Sequence, residues 1–409
     1  MSHLNSSKLL LKHFFYCFIF LYAFTGCDNN EQLFTQLSPS STGIKFQNIL
    51  QETDEFNVLT YGYLYNGGGV AVGDINNDSL PDLYFTGNMV GSRLYLNNGD
   101  FKFEEIAKNA GVFAEGNWNT GATMADVNGD GYLDIYVCKS AALNPERRRN
   151  QLFINNGDLT FTEMGKKYGV DDSGYSTQAA FFDYDNDGDL DLYILNHSTQ
   201  EFAGLGKISK HNKNRKNKAY SDKLMKNDNG KFIDVSDEVG LISNVLGFGL
   251  GIAISDLNND GWLDIYISND YNEQDYLYFN NGDGTFKESL EDYIGHVSLY
   301  SMGSDIADIN NDGFTDIMTL DMLPEHNYRI KMTSGPDNYE KLSYLSKNGF
   351  YHQTMRNMLH LNQGGDYFSE IGQFSGISNT DWSWASLFTD LDNDGYKDLF
   401  ITNGYKKDY

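Results

Sequence analysis

Six near-copies of one acidic nonapeptide constrain this chain more than anything else in it. They read DINNDSLPD from Asp74, DVNGDGYLD from Asp126, DYDNDGDLD from Asp183, DLNNDGWLD from Asp256, DINNDGFTD from Asp308 and DLDNDGYKD from Asp390. The steps between them are 52, 57, 73, 52 and 82 residues. A period in this range marks an architecture in which one supersecondary unit recurs and buries its faces against its neighbours. Each copy follows a run containing small residues, such as 68–73 or 249–255. Each leads into alternating apolar positions, as in Leu133-Asp134-Ile135-Tyr136-Val137 and Leu263-Asp264-Ile265-Tyr266-Ile267. The acidic stretch therefore reads as a loop between two strands.

A second phrase recurs between the loops: Leu94-Tyr95-Leu96-Asn97-Asn98-Gly99, then Leu152 to Gly157 and Leu277 to Gly282, with looser copies near Leu224 and Leu359. Asn-Gly suits the positive φ of a tight hairpin turn. After each turn come a Phe and an apolar residue: Phe103 and Ile106, Phe161 and Met164, Phe232 and Val235, Phe286 and Leu290, Phe368 and Ile371. Phe46 and Ile49 read as an N-terminal copy of this strand. With 41 Gly against 5 Pro and 14% aromatic residues, the chain favours short strands and tight turns. The expected fold is all-β, a β-propeller of four-stranded blades with six repeats visible, of six or seven blades with the last incomplete.

The ends and insertions break the period. Lys8 and Lys12 precede an apolar stretch over 14–24, then Thr25, Gly26 and Cys27. That is the order of a signal peptide, and small residues before a Cys resemble a lipoprotein cleavage site with Cys27 as the lipidated first residue. The expected division is a signal peptide over 1–26, a tether over 27–44 and the propeller over 45–409. Cys17 leaves with the signal, and Cys138 has no disulfide partner within the chain. One insertion carries Lys207, Lys210, Lys213, Arg215, Lys216 and Lys218, read as a solvated loop rather than a docking site for an anionic partner. The other, between Asp321 and Asn357, offers helical turns around Tyr339 to Ser346.

The acidic loops carry the strongest chemistry. Side chains at positions one, three, five and nine converge on one turn, a backbone carbonyl from position seven can join them, and Gly at position six permits the bend. The candidate ligands are Asp74, Asn76, Asp78 and Asp82; Asp126, Asn128, Asp130 and Asp134; Asp183, Asp185, Asp187 and Asp191; Asp256, Asn258, Asp260 and Asp264; Asp308, Asn310, Asp312 and Asp316; and Asp390, Asp392, Asp394 and Asp398. An all-oxygen shell of this kind suits Ca²⁺, up to six ions; the bland alternative is a set of metal-free Asx turns. Loop one has Ser79 where the others have Gly, so it is expected to be the weakest site. The formal net charge of −27 argues against nucleic acid as a partner.

These loops, set between small-residue and apolar strands, resemble the FG-GAP repeat of integrin α-subunit propellers and of bacterial VCBS-like repeat proteins. The stretch from Asn357 to Tyr405 resembles, more narrowly, bacterial surface lipoproteins similar to cartilage acidic protein, many of which end in an ASPIC/UnbV domain. The resemblance covers 45–409 and implies a calcium-stabilised propeller, usually of seven blades, that binds partners at the cell surface. No such C-terminal domain follows in this chain, an observation that points to truncation.

Catalytic signals are weak by comparison. His197, His296, His352 and His360 form no metal spacing, and no nucleophile-elbow or phosphate-binding glycine pattern occurs. Trp382 and Trp384 beside Asp381 could stack on a sugar or peptide, though aromatics alternating on a strand more often fill a core. The reading is therefore a non-enzymatic, lipid-anchored binding or adhesion module on the outer membrane or surface of a bacterium, with an extracellular protein or glycan as ligand. The alternative is a calcium-dependent enzyme acting on extracellular glycans.

Overall fold

The computed structural model describes residues 33–114, 116, 118–199, 209–333 and 339–404. The expected signal segment, Cys27 and Lys207 lie outside the described residues. Among the described residues, those from Pro39 onward form one compact unit, which holds all the sheets.

Five four-stranded antiparallel sheets follow one another along the chain, each a simple meander. The first comprises Val70–Gly73, Asp82–Phe85, Arg93–Asn97 and Phe103–Glu105; the second Asn119–Ala125, Asp134–Lys139, Gln151–Asn155 and Phe161–Glu163. The third comprises Ser176–Phe182, Asp191–Asn196, Lys223–Asn227 and Phe232–Asp234; the fourth Gly249–Ser255, Asp264–Asn269, Tyr276–Asn280 and Phe286–Glu288. The fifth comprises Ser304–Ala307, Asp316–Thr319, Met358–Asn362 and Phe368–Glu370, and a sixth has two strands, Ser383–Thr389 and Asp398–Asn403. Every acidic loop joins the first strand of a sheet to its second, and every Asn-Gly phrase ends a third strand. The second insertion holds helices Asn327–Thr333 and Tyr339–Lys347. Among the described residues no helix is long and apolar enough to cross a membrane.

The first strands of sheets two to six, and Gly67 to Gly69 just ahead of that of sheet one, border one cavity of about 270 Å³, so the sheets are set around a common axis. Small residues permit the close approach this requires. A Cβ at Gly121 would lie 2.6 Å from Thr177 O, and one at Gly303 would lie 2.5 Å from Trp384 O, so neighbouring inner strands touch backbone to backbone there.

Farther out, period-two alternation feeds two cores at once. In the second sheet Ile135 and Val137 join Tyr84 and Leu94 of the first, whereas Tyr136 and Cys138 on the opposite face join Leu192 and Ile194 of the third. Similar clusters fill the gaps between sheets three and four, four and five, and five and six. Central second strands are therefore apolar on both faces, and each fully buried aliphatic side chain contributes about 1.5–3 kcal/mol. The buried tyrosines keep their hydroxyls satisfied. Tyr193 donates to Asp222 Oδ2 at 3.0 Å and Tyr266 to Asp275 Oδ2 at 2.6 Å.

One expectation needs correction. Residues 44–49 form no strand; Phe46 instead stacks on Phe85, with centroids 5.3 Å apart, against the face of sheet one that looks away from sheet two. Gly43 abuts Phe103 O as Gly111 abuts Phe161 O and Gly169 abuts Phe232 O.

Candidate functional site

The six acidic loops share one backbone design. Position six has positive φ in all of them, from +87° to +94° at the five glycines and +69° at Ser79. Position four does too, at Asn77, Gly129, Asn186, Asn259, Asn311 and Asn393, with φ between 56° and 72°. Asn tolerates this left-handed region better than most residues, which explains its recurrence there. The position-one carboxylate gathers the turn. Asp126 Oδ1 accepts from Asp130 N at 3.1 Å and Oδ2 from Gly131 N at 2.8 Å; Asp256 and Asp308 repeat both bonds. Loop one keeps the same bonds, with Ser79 N donating to Asp74 Oδ2 at 2.7 Å, so the bend does not open.

At position three, Asn76, Asn128, Asn258 and Asn310 each donate from Nδ2 to Oδ2 of the position-five Asp at 2.9 Å. The amide thus ties together Asn76 and Asp78, Asn128 and Asp130, Asn258 and Asp260, and Asn310 and Asp312. Position nine is occupied differently. Asp82, Asp134, Asp191, Asp264 and Asp316 are buried, and each accepts a backbone N–H from loop position two on one oxygen and from the Asn of the third strand on the other. The residue therefore clamps three chain segments. Burial pushes the carboxyl of Asp134 up to about 6 and those of Asp191 and Asp264 up to about 7, with adjacent loop carboxylates adding to the effect. In sheet six, among the described residues, Asp398 clamps Leu391 N alone, at 2.9 Å.

The oxygens present fit a hard cation. Asp183, Asp185 and Asp187 bring carboxylate oxygens within 4.8 Å of one another, as do Asp390, Asp392 and Asp398. In loop three, Asp185 Oδ1 and Asp189 Oδ1 are buried without a hydrogen-bond partner. Orphaned carboxylate oxygens are costly unless something positive meets them.

At the opposite ends of the same first strands lies an aromatic mouth. Residues 53–66, ahead of the first repeat, bring Tyr61 and Tyr63 over the axis. Tyr63 donates to Asp270 Oδ2 at 3.0 Å and packs edge-on to His197 at 5.0 Å and Phe248 at 5.9 Å. Tyr61 and Phe56 both meet the edge of Trp118, at 5.5 and 5.3 Å. A cavity of about 500 Å³ runs beside them, walled by Tyr175, Tyr271, Thr60 and Thr199 among others. His197 Nδ1 lies 2.8 Å from Ser198 O and must donate to it, so Nε2 accepts from Ser140 Oγ at 2.7 Å. Burial pushes this imidazole down to about 4, and both nitrogens are engaged in structural bonds.

The aromatic mouth was invisible to repeat counting because it comes from outside the repeat. The signal was the non-repeating cluster Phe56, Tyr61, Tyr63 and Tyr65 ahead of the first loop. Trp384 does border the axial cavity, and its Nε1 donates to Gly404 O at 2.5 Å. The basic insertion is solvent-exposed at Lys210, Arg215, Lys216 and Lys218, as expected, and is anchored at Lys213. Lys213 donates to Gln274 Oε1 at 2.7 Å and Gly349 O at 3.0 Å, and Lys216 pairs with Asp237.

The FG-GAP-like repeat family matches residues 74–137, 141–194 and 256–319, stretches that together contain acidic loops one to five. Cartilage acidic protein 1 of Xenopus tropicalis is 28% identical over 206 residues, covering 50% of this chain and 29% of that protein. The human protein is 25% identical over 206 residues, and integrin alpha-8 of Gallus gallus 28% over 152 residues, covering 33% of this chain and 14% of the integrin. The chain thus spans less than a third of these relatives' own length. Among solved structures, an Agrocybe aegerita lectin described as recognising non-reducing terminal N-acetylglucosamine is 17% identical with a TM-score of 0.43, covering 81% of this chain and 73% of the lectin. The Vibrio cholerae biofilm matrix protein Bap1 is 14% identical with a TM-score of 0.36, covering 78% of this chain and 41% of that one. The chain thus carries FG-GAP-like repeats in an all-β, propeller-type fold of repeated four-stranded sheets, with cartilage acidic protein 1 and integrin alpha-8 among its homologues.

Proposed function

We propose that this protein is a calcium-stabilised binding or adhesion module held at a bacterial cell surface by a lipid on Cys27. Its acidic loops hold Ca²⁺ for structure, through positions one, three and five with the position-nine clamp behind them. Ligand binds at the other end of the same strands. The observation that carries this reading is the aromatic mouth. Ring edges and hydroxyls from several sheets border a cavity large enough for a sugar or a peptide side chain. The bonds on both nitrogens of His197 support binding over catalysis, since a general base needs a free, titratable nitrogen.

The lead test is retention on a panel of extracellular glycans and matrix peptides, with calcium and with chelator. Calcium-dependent retention without turnover, weakened by Tyr61→Ala, supports the module. New reducing or unsaturated ends on a glycan would instead make the protein a calcium-dependent glycan-active enzyme. Mass spectrometry of the mature N-terminus tests the anchor; any terminus other than acylated Cys27 removes it.

A further inference from the structure

Loop three departs from loops one, two, four and five at three positions that meet in space. Position three is Asp185, where loops one, two, four and five have Asn. Position two is Tyr184, where the other five have Ile, Val or Leu. The residue before the third-strand Asn is Lys226, where the other four-stranded sheets have Leu96, Ile154, Phe279 and Leu361. Lys226 Nζ pairs with Asp185 Oδ2, lies 3.4 Å from Asp187 Oδ2, and sits 5.8 Å from the centroid of the Tyr184 ring.

An aspartate at position three cannot donate to position five as asparagine does. With Asp189 at position seven, the nonapeptide also carries five carboxylates, the most of the six. The amine of Lys226 supplies both what is missing and what is needed, a donor between positions three and five and a positive charge. Its pull on Asp185 has a cost. The backbone bond from position five to position three, present at 2.9–3.3 Å in the other five loops, has no counterpart here, and Asp185 Oδ1 is left buried and unpartnered.

We propose that Lys226 is a tethered counter-ion of loop three, which holds Asp185 and Asp187 together without metal and competes with Ca²⁺ for the same carboxylates. Loop three is then formed before calcium arrives, and it binds the ion less tightly than loops two, four and five. The competition rests on the calcium reading above, whereas the counter-ion role does not.

The test uses the full chain and two measurements, melting in chelator and calcium titration by calorimetry and equilibrium dialysis. Lys226→Met should lower the melting temperature in chelator by several degrees. With calcium it should tighten one site about fivefold, the scale of a partly exposed ion pair. That gain should vanish in an Asp187→Ala background, which places it in loop three. If Lys226→Met fails to fold in chelator but folds in calcium, the counter-ion role is supported. If it folds in neither, Asp185→Asn/Lys226→Met, which restores the pattern of loops two, four and five, takes its place and should show the tightened site. An unchanged melting curve in chelator would overturn the counter-ion role, and unchanged or weaker calcium binding would overturn the competition. Should the wild type bind no calcium at all, the calcium reading fails while the chelator arm still decides the counter-ion.

Discussion

The second strand of sheet three and the second strand of sheet six descend from the same repeat, yet their surroundings differ completely. All six residues of Asp191–Asn196 are buried, and none of Asp398–Asn403 is. Sheet three lies between two neighbours and receives a third strand. Sheet six packs one face, with Leu399 and Ile401, on sheet five and leaves Phe400 half exposed on the other. In a repeat protein the same phrase is worth different amounts at different places, because stability resides in the interfaces between units more than within them.

Core truncation should show this most strongly. Ile194→Ala removes a side chain with no exposure from the core between sheets two and three, and is expected to cost about 2–5 kcal/mol. Phe400→Ala, 52% exposed, should cost under ~1 kcal/mol. Denaturant unfolding of the two variants measures the difference, and equal losses would mean that sheet six is covered in solution.

The clamps give the next largest effect. Asp264→Ala strands Leu257 N and Asn280 N, both buried, at ~1–3 kcal/mol each. Among the described residues, Asp398→Ala strands Leu391 N alone and should cost less than half as much. Melting curves in chelator isolate this effect from any bound ion.

A third prediction concerns pH. Burial raises the folded-state pKa of Asp134, Asp191 and Asp264 above the ordinary 3.8, to about 6–7. Without metal, their contribution is therefore fully present below pH ~4 and lost as pH rises through 6–7. His197 and His360 run the other way. Burial lowers both to about 4, so their contribution is present above pH ~6.5 and lost as pH falls towards 4. A cation relieves the first set and leaves the second alone. The gain in melting temperature on adding calcium should therefore be larger at pH 7.5 than at pH 5, and an equal gain would separate the ion from these carboxyls.

The smallest effect distinguishes loop one from its glycine-bearing relatives. Ser79 holds φ at +69° with all its backbone bonds intact, so Ser79→Gly relieves strain of ~1 kcal/mol or less after the added flexibility of glycine is counted. Calcium titration then ranks the loops. With Ser79 accommodated, Asp78→Ala and Asp130→Ala should weaken calcium binding to similar extents, whereas an unequal loss would show that strain at the bend reaches the ion.

Sequence periodicity alone determined the strand-loop-strand unit, the hairpins and the positive-φ bend at position six. All of these depend on residues within about ten positions of one another, where backbone sterics and local hydrogen bonds decide the outcome. It did not distinguish a carboxylate that gathers a loop from one that clamps three segments, because the partners of Asp134 include Asn155, twenty-one residues away. Nor could it place Tyr63 beside Asp270, 207 residues distant, or reveal that Lys226 reaches back 41 residues to Asp185. Those contacts exist only once the sheets are set around a common axis, when packing decides which faces are buried and which charges must share one space.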